Sequence, residues 1–515
     1  MKKRCIALLL ALAMMFALSA CTGNKPDPGT DPGTNPSPEA GEPAEGGEIT
    51  VGLYNDLDAS LDPHMSSSSA ATREILFNIF EGLVKPDSDG NLVPAIAESY
   101  SVNSGADQYT FKLRAGVKFH NGKDVTADDV VWSLSRAAGL ETGEPLVSDV
   151  ANIAAVTKTD DSTIVIDLKK PDTEFLAHIT TAIIPEGHDP LSEVIGTGPF
   201  KFVSRVVQDN IVLEKFGDYW GEPAHLDKVT LKIIENPEAL VMALRSGSLD
   251  MAVRLDASQI PTLTNMNILE GSSNIVQALY LNNAVKPFDD VRVRQALCYA
   301  IDKHEVIDLA SDGHGSAVGS SMFPAFGKYF MPELTDYYTK DIDKAKALLA
   351  EAGYPNGFEF TITVPSSMQS HVDVAQVIEQ LLQPIGVTAK VDKVEWATWY
   401  SEAYQGRKFE ATVIGMDAHG VAASDMLARF QSSSSKNFIN FSNAEYDEAY
   451  TAAVSTTDDA EQTKLFKQCE TILTEQAANV YIQDGASFTA MAKDLGGFEF
   501  YPLYVLDLSR IYRVK

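Results

Sequence analysis

Residues 116–124, GVKFHNGKD, place two glycines ahead of a lysine, the arrangement by which a loop wraps phosphate in backbone N–H groups. The spacing argues against that chemistry. Five residues stand between Gly116 and Gly122 instead of four, and Asp124 occupies the place where Ser or Thr would hold magnesium. HEVID at 304–308 has the first histidine of a zinc-protease helix without the second, and no G-x-S-x-G turn presents a serine nucleophile. GHGSAVG at 313–319 has no strand before it, so its glycines read as backbone turns. The nine histidines lack metal-ligand spacing, and no cofactor is implied. An enzyme is disfavoured on these grounds, although residues distant in sequence can converge in a fold.

One thiol does sit in a chemical pattern. Leu18, Ser19, Ala20 and Cys21 look like a bacterial lipobox, in which small residues admit a signal peptidase and the cysteine sulfur receives a diacylglycerol. Ahead of it, Lys2, Lys3 and Arg4 precede an apolar run from Ile6 to Leu18, too short for a hydrocarbon core of roughly 30 Å. Residues 1–20 are therefore expected to be an export signal. Two acyl chains hold a membrane stably where one does not, so a lipidated Cys21 would be a lasting anchor and the chain extracytoplasmic. Residues 21–47 continue as a Pro/Gly-rich tether with DPGT written twice. Extended at about 3.1 Å per residue, such a tether reaches up to roughly 80 Å.

The remaining 468 residues exceed what one core holds, and two or three domains are expected. The formal charge of −30 becomes −33 once Lys2, Lys3 and Arg4 leave, which disfavours nucleic acid as a partner. Beyond Cys5 and Cys21 only Cys298 and Cys469 remain, too few for a disulfide framework. Cys469 shares a helical stripe with Leu465, Ile472 and Leu473 and reads as a buried thiol; a long-range bridge is the alternative.

The elements that must position any site are short strands and helices in alternation. EITVGLY (48–54) predicts a strand and AATREILFNIFEGLV (70–84) a helix with Ile75, Ile79 and Leu83 on one face. QYTFKLRAGVKFHNG (108–122) predicts a hairpin turning at Ala115-Gly116, and Thr126 with Asp129 a capping box. Further strands are expected at 162–169, 210–216 and 228–234, and helices at 237–247, 341–353 and 372–386. The pattern is that of an α/β chain.

LDPH (61–64), NIFEGLV (78–84), PAIAESY (94–100), the run from Tyr109 to Leu134, GTGPFKF (196–202), VRVRQALCYAIDK (291–303) and KAKALLAEAGYPNGFEF (344–360) resemble the family 5 extracellular solute-binding proteins. These are oligopeptide, dipeptide and nickel receptors of ABC importers. The resemblance implies a periplasmic-binding-protein-like, two-lobed fold with an extra inserted domain. Domain I would comprise 48–76, 185–282 and 485–515, domain II the insertion 77–184, and domain III 283–484. Chain crossings at 281–285 and 482–486 would form the hinge. The implied function is capture of a peptide or related small solute by hinge closure, and delivery by a monomeric receptor to permease subunits. A nickel or other metal chelate is the second cargo; a ligand sensor or an extracytoplasmic hydrolase are alternatives of another class.

In the family's peptide binders a cleft aspartate, three positions after a tryptophan, neutralises the ligand's ammonium. The matching stretch here is VIGMDAHGVAASDML (413–427), where Met416 replaces the tryptophan and His419 the aspartate. Asp417 or Asp425 would then supply the charge, while His419 would accept a hydrogen bond or ligate a metal. Ser67, Ser68 and Ser69 correspond to a segment that approaches the ligand from domain I. Trp396 and Trp399 read as core or cleft aromatics, and Arg407 and Arg429 as carboxylate partners or surface charges.

Overall fold

Period-two runs form the strands β1 (Glu48–Leu53), β2 (Ala97–Val102), β3 (Gln108–Leu113), β4 (Ile153–Asp160), β5 (Thr163–Leu168), β6 (Phe200–Val206) and β7 (Asn210–Lys215). They continue with β8 (Lys228–Ile233), β9 (Met251–Leu255), β10 (Met266–Leu281), β11 (Glu359–Pro365), β12 (Thr388–Val394), β13 (Ala411–Met416) and β14 (Asn479–Ala492). The helices that matter here are α1 (Ala70–Leu76), α2 (Ala127–Ala137), α3 (Pro237–Ser246), α4 (Ile342–Glu351), α5 (Gln369–Leu381), α6 (Ala423–Leu427) and α7 (Asp459–Glu475). This computed structural model describes residues 41–65, 69–417, 422–502 and 504–515. The expected signal, Cys21, the tether up to residue 40, Ser67, Ser68 and His419 lie outside the described residues.

Local chemistry starts and stops these helices. Thr126 Oγ1 accepts from the Asp129 N–H at 3.2 Å while the Asp129 carboxylate accepts from the Thr126 N–H at 2.8 Å, the capping box that opens α2. Asn236 caps α3, Pro237 begins it, and Gly247 ends it at φ +74.

Among the described residues, ten strands of the main sheet run in the order β12-β11-β13-β10-β14-β9-β1-β8-β7-β6. β11 is parallel to both β12 and β13, and β1 is parallel to both β8 and β9. Each half therefore has crossover helices and a core of its own, Ile49, Val51 and Leu231 in one and Leu279, Ile362 and Ile378 in the other. The long strands β10 and β14 join the halves, pairing antiparallel from Met266 with Ala492 to Tyr280 with Asn479. A separate antiparallel sheet, β2-β3-β5-β4, packs with α2 around Phe111, Val130 and Ile164. Cys298 and Cys469 are free thiols buried in different cores.

Two expectations change. The hairpin over 108–122 does not form: β3 pairs with β2 and with β5, and residues 117–119 contribute only a bridge from Lys118 to Asp124. The helix expected over 70–84 stops at Leu76, although Ile75, Ile79 and Leu83 are buried as their spacing requires. β3 has both its edges taken, by β2 and by β5, and the helix ends because of the packing around residues 196–200. The Gly198 N–H donates to the Ile79 carbonyl at 2.9 Å and the Phe200 N–H to that of Asn78 at 3.0 Å, taking carbonyls that a continuing helix would use. A Cβ on Gly196 would lie 2.0 Å from the Ile79 oxygen, and one on Gly198 2.5 Å from that of Asn78, so the approach needs glycine. The His120 ring closes the clasp, Nε2–H donating to the Gly198 carbonyl at 3.0 Å and Nδ1 accepting from the Gly196 N–H at 3.2 Å.

His64 does the same work in LDPH. Its Nε2–H donates to the Ala182 carbonyl at 2.8 Å and its Nδ1 accepts from Arg136 at 2.7 Å, while Arg136 also grips the Asp62 carboxylate at 2.6 and 3.2 Å. Burial pushes both His64 and His120 down to about 4, so both rings are neutral.

Candidate functional site

The junction of the two halves is a fault in an otherwise regular ladder. β10 breaks register against β14 between Ser272 and Val276 and again between Gln277 and Ala278, with Asn274 at φ +57. Asp484 of β14 fills the fault, accepting from the Ile275 N–H at 3.1 Å, from Ser273 Oγ at 3.3 Å and from the Ser272 hydroxyl. Burial pushes its carboxyl up to about 6 against these donors.

Beside the fault opens a cavity of about 730 Å³. One wall comes from the end of β9 and from segment 498–506, the other from 309–314, the first turns of α5, and Asp417 just after β13. Arg254 reaches it because β9 breaks register between Ala252 and Leu255, which puts Arg254 at φ +59 and turns its side chain out of the ladder. It pairs with Glu74 and lies 5.0 Å over the Tyr504 ring. Asp256 and Asp373 face the cavity from opposite walls, and burial followed by the Asp373 charge raises Asp256 above the ordinary carboxylate range. His371, pushed down to about 4 by burial, accepts the Gly415 N–H at Nε2 and lies 2.6 Å from the Gln277 amide.

Residues 91–438 match the family described as bacterial extracellular solute-binding proteins, family 5 Middle. The chain belongs to that family. Oligopeptide-binding protein AppA of Bacillus subtilis (strain 168) is 29% identical over 550 residues, spanning 98% of this chain and 97% of that protein. Heme-binding protein A of Haemophilus influenzae is 30% identical over 477 residues, covering 84% of this chain and 86% of its own. The solved structure of Bacillus subtilis AppA in complex with a nonapeptide superposes with a TM-score of 0.72 at 26% identity, over 92% of this chain and all of that one. The fold is thus the two-lobed α/β fold of the family 5 solute-binding proteins.

Of the residues singled out from the sequence, Asp417 lines the cavity. Tyr504 donates its hydroxyl to the Asp417 carboxylate, and Arg429 Nη2 donates to the Asp417 carbonyl at 2.9 Å. Met416 is buried in the core beneath. Asp425 sits in the first turn of α6, where its charge adds to the rise that burial gives Asp172. Ser69 caps α1, its Oγ accepting from the Thr72 N–H at 3.3 Å. Trp399 is buried and donates Nε1–H to Thr412 at 2.9 Å; Trp396, 44% exposed, stacks on it at 5.2 Å. Arg407 donates to Asn440 at 3.0 Å and is not among the cavity's residues.

The family 5 motifs thus build the frame, while the cavity draws on Arg254, Asp256, His371, Asp373 and Tyr504, which no motif contained. The odd signal was LDMAVRLD (249–256), an apolar strand interrupted by a lone arginine. A second contact spans the molecule away from the cavity. Both oxygens of Glu174 accept backbone N–H groups that open α6, from Ala423 and Ser424 at 2.9 Å each, and Gln462 of α7 donates to Thr173 at 2.6 Å.

Proposed function

We propose that this chain is the lipid-anchored, solute-capturing component of an ABC importer and that its cargo is a peptide or related ammonium-bearing solute. In this reading domain I is 48–76, 185–282 and 485–515, domain II is 77–184, domain III is 283–484, and Cys21 ties the tether to the membrane. The lobes close on the solute by bending at the β10–β14 fault, and the closed shape docks on the permease.

The charge of the cavity carries the cargo assignment. Glu74, Asp256, Asp312, Asp373, Asp417 and Glu499 line it, against Arg254 as the single Arg or Lys among the described lining residues. Asp256 and Asp373 oppose each other from two walls, so an ammonium between them relieves a repulsion that otherwise resists closure. The oligopeptide-binding relative and the nonapeptide complex support the same class of cargo.

The test is native mass spectrometry of the chain with a pool of free tripeptides and the same pool N-acetylated. Free peptides are expected to be retained and acetylated ones not, with Asp256→Asn or Asp373→Asn weakening retention about five- to tenfold, as loss of one part-exposed ion pair of about 1 kcal/mol implies. Equal retention of both pools removes the ammonium; retention of neither removes peptide as cargo.

A further inference from the structure

We propose that the solute space has a second chamber, beyond Tyr504, that receives an aliphatic or aromatic side chain of the same solute. This rests on the cargo reading above and deepens it. A cavity of about 300 Å³ lies between α1, the 177–182 segment and residues 86–92 and 147–149. It shares Tyr504 and Val505 with the larger cleft, so one side chain and one short stretch of chain stand between the two spaces.

The two spaces differ in chemistry. Six acidic side chains line the cleft and one, Asp149, lines the chamber, where Leu76, Phe77, Phe80, Leu92 and Val147 form an apolar side facing polar groups that include Arg73, His178 and Thr180. Apolar space of roughly half this volume accepts a benzene ring, so the chamber is large enough for a phenylalanine or leucine side chain. Its aliphatic and aromatic side, Leu76, Phe77, Phe80 and Leu92, rewards burial of an apolar group.

Tyr504 is built as the partition. Arg254 lies over its ring at 5.0 Å and is a residue of the cleft; Arg73 lies over its ring at 4.6 Å and is a residue of the chamber. Its hydroxyl is held by Asp417 on the facing wall of the cleft. A solute whose ammonium engages the cleft acids therefore has its next apolar group directed along the Tyr504 ring toward the chamber. The recognised class is a peptide with an apolar residue beside its charged end.

The experiment has two arms on the full chain, wild type against Ala177→Phe, which fills the chamber, and Leu92→Glu, which charges its wall; both sites are part-exposed, so the fold tolerates them. In the first arm N-phenyl-1-naphthylamine, an uncharged aromatic probe, is titrated by fluorescence. Saturable binding to wild type, at least tenfold weaker in both variants and unchanged in Asp373→Asn, is the expected result. No binding to wild type, or equal binding in all proteins, overturns the chamber. In the second arm the free tripeptide pool is expected to yield peptides rich in Phe and Leu from wild type and not from the variants. Peptides retained without that preference overturn the chamber and leave the cargo reading standing. If no peptide is retained while the probe behaves as expected, the cargo reading falls and the apolar subsite stands.

Discussion

Glu174→Ala should leave the protein folded but more open, with a larger radius of gyration by solution scattering and solute release about thirtyfold faster. The Glu174 carboxylate accepts two backbone N–H groups at 2.9 Å from the start of α6, and Thr173 beside it accepts from Gln462. These join residues 173–174 to the start of α6 and to α7. Burial raises the Glu174 carboxyl above its ordinary range, so the two charge-assisted bonds are made at a cost in solvation and are broken cleanly when the residues part. Removing the acceptor strands two donors in the joined state alone, which at about 2 kcal/mol shifts the open–closed balance about thirtyfold. Glu174→Gln, which keeps one acceptor, should fall between. An alanine variant with wild-type dimensions and wild-type release of a retained tripeptide would show that the contact holds nothing shut.

His64→Asn should cost stability at pH 7.5 and progressively less as the solution is acidified. The buried ring is neutral, its unprotonated Nδ1 facing Arg136 at 2.7 Å, and its folded value of about 4 lies below the roughly 6.5 of an unfolded chain. Between those values the unfolded state binds a proton that the native state refuses, so this contribution is complete above pH 6.5 and is lost as pH falls toward 4. For wild type the loss amounts to about 3 kcal/mol from this one ring. The opposite drift from Asp484, raised to about 6, is common to both proteins and cancels in the comparison. Urea unfolding at pH 7.5, 6.0 and 4.5 should therefore show the gap between the two proteins narrowing by about 2 kcal/mol; parallel curves would sink the assignment.

Strands were legible wherever a face is buried, because alternation such as Tyr109, Phe111 and Leu113 is dictated by the pleat. Pairing was not. The turn at Gly116 exists at φ +78, yet β3 finds its partners elsewhere, since a turn residue fixes a bend and not what the next strand touches. Likewise residues 70–84 carry a helical stripe, and only the carbonyls claimed by Gly198 and Phe200 reveal why the helix ends. The family motifs were legible as sequence and their physical role as fold: His64, His120, Gly196 and Gly198 are clasps between segments far apart in the chain. The cavity was opaque for the same reason. Asp256 and Asp373 become a pair only when two lobes meet, and nothing local to either carboxylate announces the other.

In the proposed receptor, the ladder that runs from lobe to lobe, broken only at the fault beside Asp484, would act as a flexure rather than a swivel. Two hydrogen-bonded strands bend readily about one axis and resist sliding or spinning about the others. In the proposed receptor the final pose would then be dictated by backbone, whatever molecule lies between the lobes. Substitutions at Asp256, Asp373 or the chamber can change the diet while the outer face offered to a permease stays the same. Cargo preference and docking become separately heritable traits in one chain.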